Sequence, residues 1–247
     1  MENLSYVVPV CNEEAGIKIT IDALISVLGT AQNINDFEVI IVDDGSTDQT
    51  KDNIPRDEKI SVITNQKTLG YGASLKKGIL ASQYNMIGIV DADGTYELQR
   101  IPEMLEMMSR ADMVVGKRLF LKGATGFTKQ LGRKLLNITA SYIAGCLIPD
   151  TNSGFRLFRR NVFDEALPFI PSGFSFTTTI TLIAFFTSKA VRYVPVRYSR
   201  RMGEAKIRLV NFFTYVRVLL LLGWRFKPLK IIILGLIVFG ILYYIVH

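Results

Sequence analysis

A chain of 247 residues with 49 % hydrophobic and 21 % charged side chains is too apolar to be disordered and long enough for one large or two small domains. Two cysteines, Cys11 and Cys146, lie far apart and in no metal-binding spacing, which argues against a disulfide framework and fits a reducing compartment. The net charge of +7 calls for an anionic partner, nucleic acid or a membrane surface. The position of the cations favours the membrane and no nucleic acid. Lys117, Arg118, Lys122, Lys129, Arg133 and Lys134 fall near amphipathic sequence, and Arg217, Arg225, Lys227 and Lys230 flank an apolar tail.

Residues 4–10 are a short apolar run that reads as a buried first strand rather than a signal peptide, so the bulk of the chain is expected on the cytoplasmic side. Residues 14–29 place Ile17, Ile21, Leu24, Ile25 and Leu28 at helical spacing. Residues 37–42 read as a second strand ending in Asp43-Asp44-Gly45-Ser46, where Ser46 or Thr47 is suited to cap a following helix. A third strand over 60–64, a helix over 72–83 and a strand over 86–90 follow. A Met-rich helix over 98–110 and a strand over 113–116 close the first half. Strands alternating with helices predict an α/β fold, a mostly parallel sheet covered on both faces. Its ligand crevice belongs at the carboxyl ends of the strands.

Three polar clusters should meet there: Asn12-Glu13-Glu14, Asp43-Asp44-Gly45-Ser46 and Asp91-Ala92-Asp93. The last is the most informative. Apolar residues 87–90 deliver two carboxylates spaced one apart, which repel unless a cation lies between them. A hard divalent ion that also reaches phosphate oxygens suits that position. A plain turn explains Asp before Gly equally well in isolation.

The second half changes character. A basic amphipathic helix is expected over 127–147, with Phe127, Leu131, Leu135, Ile138, Tyr142 and Ile143 near one face and Lys129, Arg133 and Lys134 on or beside the other. Such a helix can lie in a membrane interface or pack on its own domain. Residues 209–224 repeat the theme with Phe212, Phe213, Val216, Leu219, Leu220 and Trp224. Residues 229–246 are almost wholly apolar and are expected to span a bilayer as a helix, with Lys230 snorkelling at one edge, Tyr243 and Tyr244 at the other, and the N-terminal domain cytoplasmic. This gives three parts: a catalytic-type domain over 1–206, an amphipathic interface helix over 207–226 and a transmembrane helix over 229–246.

Five short motifs, in order across residues 4–206, carry a resemblance. They are Val8-Pro-Val-Cys-Asn-Glu13, Ile41-Val-Asp-Asp-Gly-Ser46, Asp91-Ala-Asp-Gly94, Asp150-Thr-Asn-Ser-Gly-Phe-Arg156 and Arg201-Met-Gly-Glu-Ala-Lys206. In these the chain resembles family 2 glycosyltransferases with the GT-A fold. Within them it is similar to the dolichyl- or polyprenyl-phosphate sugar synthases of the dolichol-phosphate mannosyltransferase type. The resemblance implies a nucleotide-diphosphate sugar donor, Mg²⁺ or Mn²⁺, and a polyprenyl or dolichyl monophosphate acceptor. By similarity Pro9, Cys11, Glu13, Asp43 or Asp44, and Ala92 would line the nucleotide pocket. Asp91 and Asp93 would hold the metal on the diphosphate. Arg118 would face phosphate of acceptor or donor, and Ser153 and Arg156 would sit in the acceptor loop. Arg201 and Lys206 would close over the diphosphates as a mobile cationic lid.

Three departures stand out. Thr95 occupies a position where many lipid-phosphate synthases carry glutamine. Gly203-Glu-Ala-Lys206 lacks the hydroxyl of the usual Gly-Glu-Ser-Lys, and residues 173–179 hold no carboxylate to serve as base. The only histidine, His247, lies beyond the apolar tail. A hydroxyl acceptor needs a base, whereas a phosphate monoester, with a second pKa near 6, arrives largely ionised. The expected reaction is therefore inverting hexosyl transfer to a lipid phosphate at the membrane. A transferase acting on a hydroxyl of a glycan, lipid headgroup or protein is the alternative, and a silent nucleotide-sugar-binding membrane module is the alternative of another class. Homo-oligomerisation, the sugar and the nucleotide are left open.

Overall fold

The computed structural model describes residues 2–120, 127–173, 175–199, 201 and 209–246, with side chains for all of these except 127–129, 209–212, 240–242 and 244–246. The first half alternates as expected. Strands β1 (Glu2–Val10), β2 (Ile34–Asp43), β3 (Ile60–Thr64), β4 (Met86–Ile89) and β5 (Met113–Phe120) are interleaved with helices α1 (Ile17–Thr30), α2 (Tyr71–Ala81) and α3 (Ile101–Met107). Then come α4 (Phe127–Ala144), β6 (Arg156–Arg159), α5 (Arg160–Ala166), α6 (Phe176–Phe186), β7 (Val191–Tyr198), α7 (Leu209–Phe226) and α8 (Pro228–Val246).

One seven-stranded sheet runs β3-β2-β1-β4-β6-β5-β7. All its pairings are parallel except those of β6, which is antiparallel to both β4 and β5. Alternate side chains of β1 feed two cores, one on each face. Leu4, Tyr6, Val8 and Val10 join α1 and α3, while Val7 joins α2, α4, α6 and α7. That double coverage is why the central strands read as continuous apolar runs.

The helix expected after Ser46 does not form; the segment runs through turns. Its polar groups are spent on the end of β1 instead. Ser46 Oγ accepts from Asn12 N at 3.0 Å, Thr47 N donates to Asn12 Oδ1 at 2.8 Å, and Thr50 Oγ1 accepts from Glu13 N at 2.8 Å. Asn12 sits at a positive φ of 51°, a conformation asparagine tolerates. These bonds lock the β1 and β2 loops together at the mouth of the sheet.

The amphipathic helices carry apolar residues on two faces. In α4, Leu136, Ala140 and Ile143 enter the core while Leu131, Leu135 and Ile138 are exposed. In α7, Tyr215, Val218, Leu219 and Leu222 are buried while Phe213, Leu220, Leu221 and Trp224 are exposed. The sequence grouping Leu131, Leu135, Ile138 and Ile143 on one face is thus corrected: Ile143 packs inward and the others outward.

Among the described residues, no helix is long and apolar enough to cross a membrane. The span expected over 229–246 includes 240–242 and 244–246, whose side chains lie outside those described. α8 runs over Pro228–Val246, 19 residues or about 28 Å of helix. Its first turn leans on the neighbouring helices. Lys230 Nζ donates to the Tyr142 carbonyl at 2.8 Å rather than reaching outward, and Ile231 lies over Gly223.

Candidate active site

A cleft of ≈ 560 Å³ opens at the carboxyl ends of β1, β2 and β4. Pro9, Cys11, Glu13, Asp44, Asp91, Ala92, Asp93, Arg118 and Arg201, all singled out from sequence, line it together. Lys206, like Lys122, lies outside the described residues.

At one end, Asp44 shapes the wall. Its carboxylate accepts from Leu69 N at 2.9 Å, Gly70 N at 2.8 Å and Asn65 Nδ2 at 2.9 Å, which fixes the turn leading into α2. Asp43 turns inward instead. It is fully buried, accepts from Ser46 N at 3.0 Å and sits 3.4 Å from Lys51 Nζ. Of the two acids left open by the sequence, Asp44 is the one on the cleft.

The acid pair sits in the middle. Asp91 Oδ1 accepts from the Tyr71 hydroxyl at 2.8 Å, and Asp93 Oδ1 accepts from Thr95 N and Thr95 Oγ1 at 3.2 and 2.6 Å. Thr95, noted as a departure from the family pattern, thus orients the second acid. Burial first, and the charge of Asp93 second, push the Asp91 carboxyl up from 3.8 to about 6. Such a pair lacks positive charge. Arg201 supplies part of it, bonding Glu13 and approaching Asp93 Oδ2 at 3.6 Å. Among the described residues, no group of three His, Cys, Asp or Glu side chains forms a metal cage. Two carboxylates with further positions left to water and substrate phosphate are what Mg²⁺-like ions use. The donor set therefore fits a hard divalent cation.

Gly154 makes that arrangement possible. A Cβ there would lie 2.3 Å from Asp91 Oδ2. Gly154→Ala is expected to displace the acid and reduce turnover about 100-fold. Gly29→Ala, where a Cβ meets nothing within 4 Å, should leave turnover unchanged. Equal activity in both variants would show that Asp91 need not be placed so closely.

Beyond the acids lie the cations. Arg118 forms a two-pronged pair with Asp150, Nε to Oδ2 and Nη2 to Oδ1, each at 2.8 Å. Burial pushes the Asp150 carboxyl up, but the guanidinium outweighs it and holds it below the usual range. Arg118 also faces the rings of Phe120 and Tyr198 at 5.4 and 5.5 Å. The alternative pairing of Asp150 with Arg156 does not occur. Arg156 is fully buried and donates to the carbonyls of Ser153, Thr177 and Thr151 and to Thr181 Oγ1. Ser153 is equally buried, its Oγ 3.4 Å from the Phe155 carbonyl. Arg156 ties the loop 150–156 to α6 from within, and neither residue lines the cleft.

Sequence reasoning passed over Thr68, Ser74, Tyr71, Thr177, Tyr198 and Tyr215, which line the cleft too. Tyr215 matters most, because it brings α7, a helix with an exposed apolar face, to the cleft wall. Gly70-Tyr-Gly72 was the one local signal for the α2 turn; nothing local marks Tyr198 or Tyr215.

Known proteins resemble this chain in family and in fold. The model of the glycosyl transferase family 2 matches residues 5–167. A dolichyl-phosphate beta-glucosyltransferase of Trichomonas vaginalis is 28 % identical over 225 residues, covering 83 % of this chain and 66 % of its own length. A dolichyl-phosphate hexose transferase of Haloferax volcanii is 29 % identical, covering 83 % of this chain and 87 % of its own. The chain thus spans just under two thirds of the first relative. Glucosyl-3-phosphoglycerate synthase from Mycobacterium tuberculosis, solved with Mn²⁺, UDP and phosphoglyceric acid, superposes with a TM-score of 0.67 at 20 % identity, over 90 % of this chain and 78 % of that one. At that identity the likeness speaks for the fold.

Proposed function

Because the chain belongs to glycosyl transferase family 2, we propose that this glycosyltransferase moves a hexose from a GDP- or UDP-linked donor to a polyprenyl or dolichyl monophosphate at a membrane surface. The observation that carries the reading is one cleft in which an acid pair, Asp91 and Asp93, faces the guanidinium groups of Arg118 and Arg201, with one wall supplied by Tyr215 of the amphipathic α7.

The donor nucleoside would lie against Pro9, Cys11, Glu13, Asp44 and Ala92. Asp91 and Asp93 would hold Mg²⁺ or Mn²⁺, whose chemistry is to neutralise charge on the departing nucleotide diphosphate. Arg201, still paired with Glu13, faces the diphosphate, and Lys206 would add a second cation there. Arg118, fixed by Asp150, faces the acceptor phosphate. An acceptor oxygen then attacks the anomeric carbon in line, forming the new C–O bond as the bond to the diphosphate breaks with its electron pair. No proton has to be removed from an ionised phosphate. That matters because every carboxylate lining the cleft among the described residues is already engaged. Glu13 pairs with Arg201, Asp44 holds backbone amides, and the remaining two form the acid pair.

Membrane contact follows from the outer faces of α4, α7 and α8. Leu135, Trp224 and Phe239 are exposed there, with the cations Lys134, Arg217 and Lys227 nearby in sequence. On this reading residues 1–206 are the transferase unit, and α7 and α8 carry it to the lipid, with the cleft on the cytoplasmic side.

The test offers purified protein a panel of GDP- and UDP-hexoses with either polyprenyl phosphate in vesicles or a soluble oligosaccharide. Lipid-linked hexose alone is the expected product. Glycosylated oligosaccharide without any lipid-linked sugar would move the assignment to a hydroxyl acceptor.

A further inference from the structure

We propose that Ser74 reads the donor sugar: its side-chain hydroxyl forms a hydrogen bond with a hydroxyl of the hexosyl group bound in the cleft. The inference rests on the nucleotide-sugar reading above and adds a specificity-determining residue to it.

Ser74 lies in the first turn of α2, is 0 % exposed and lines the floor of the cleft. Its Oγ has no hydrogen-bond partner among the described residues. Several other helical hydroxyls solve that problem locally, and Thr20 of α1, which does not, is not among the residues lining the cleft. Ser141, Thr179 and Thr181 each donate to the carbonyl four residues back. Ser74 makes no such bond to Gly70, and a buried, unpaired hydroxyl is destabilising. A partner from outside the chain accounts for it.

The surroundings narrow what that partner is. Ser74 is three residues from Tyr71 and so shares its face of α2; Tyr71 is the residue that touches Asp91. Ser74 therefore lies one helical turn beyond the acid pair. The partner is not an anion at the helix start, because the amides there are already used. Leu69 N and Gly70 N donate to Asp44, Gly72 N donates to the Gly173 carbonyl at 3.1 Å, and Ala73 N donates to the Ser172 carbonyl at 2.9 Å. A neutral hydroxyl that both donates and accepts fits a serine hydroxyl. With the nucleoside and diphosphate assigned to Glu13, Asp44 and the acid pair, the part of the donor left to reach Ser74 is its sugar, which is all hydroxyls.

The experiment uses the full chain and Ser74→Ala. Without ligand, the variant should melt no lower than wild type, and up to about 2–4 °C higher, since an unsatisfied hydroxyl is gone. Affinity for GDP or UDP with Mn²⁺ should be unchanged. The kcat/KM for the preferred nucleotide-hexose should fall about tenfold, and discrimination against its epimers should shrink by a similar factor. Equal loss of affinity for the bare nucleoside diphosphate would place Ser74 on the nucleotide instead. A lower melting temperature with unchanged epimer discrimination would make it structural; either result overturns the proposal. If the wild type binds no nucleoside diphosphate at all, the failure belongs to the underlying functional reading, and this inference goes with it.

Discussion

Asp91→Asn is expected to raise the melting temperature of the metal-free protein at pH 7 by roughly 6–12 °C while cutting hexosyl transfer about 100-fold or more. The two effects have one cause. The carboxyl is shifted from 3.8 to about 6 by burial and by Asp93, so its ionised form costs the folded state about 3 kcal/mol. The sign follows from proton uptake. Between pH 3.8 and about 6 the folded protein binds more protons than the unfolded chain, so stability falls as pH rises through that window. The penalty is absent below it and complete above it. Asparagine keeps the hydrogen bond from Tyr71 and carries no charge, so its advantage should vanish towards pH 4. Thermal unfolding of both proteins from pH 4 to 8 in chelator checks this. Saturating Mn²⁺ should narrow the gap at pH 7 by stabilising wild type only. A variant no more stable than wild type at pH 7 would mean the acid pair is not under electrostatic load.

The second large effect concerns Arg118 and Asp150, whose side chains are only 12 % and 4 % exposed. Asp150→Ala leaves a buried guanidinium without its counter-charge and should cost about 3–5 kcal/mol, or roughly 6–20 °C. Arg118→Met should cost a similar amount by stranding the carboxylate. The double variant Arg118→Met/Asp150→Leu should recover most of that stability, because an apolar pair of similar volume replaces both charges. It should not recover turnover, since the acceptor phosphate loses the cation facing it. Recovery of both would reduce the pair to packing. Denaturant unfolding and transfer kinetics on the four proteins separate these outcomes.

The pattern of what sequence made legible has physical reasons. Buried strands such as β1 and β4 announce themselves as apolar runs that stop at Asn12 and at Asp91, and the crevice rule then places both loops at one edge. The acid pair and the Glu13 loop were accessible in that way, whereas Arg201 came from the family resemblance alone. β6 and β7 were not. Arg156–Arg159 is four residues bounded by arginines, antiparallel in a mostly parallel sheet, and Val191–Tyr198 carries Pro195, which only an edge strand accepts. α6 is buried over 176–184, so Thr179 and Thr181 hide in the core by bonding their own helix and the segment gives no amphipathic stripe. Charge was the least transparent feature. Arg118 and Arg156 look alike in sequence, yet one reaches the cleft and the other is spent on backbone carbonyls. That difference arises from which side of the loop 150–156 each arginine meets, and neither spacing nor composition records it.

Calorimetric titration of GDP and UDP into the full chain, with Mn²⁺ and then with chelator, tests the acid pair's role most directly. Tight binding of one nucleotide that needs Mn²⁺ and disappears in Asp91→Ala and Asp93→Ala is the result expected here. Undiminished binding in chelator, or in either alanine variant, would contradict it.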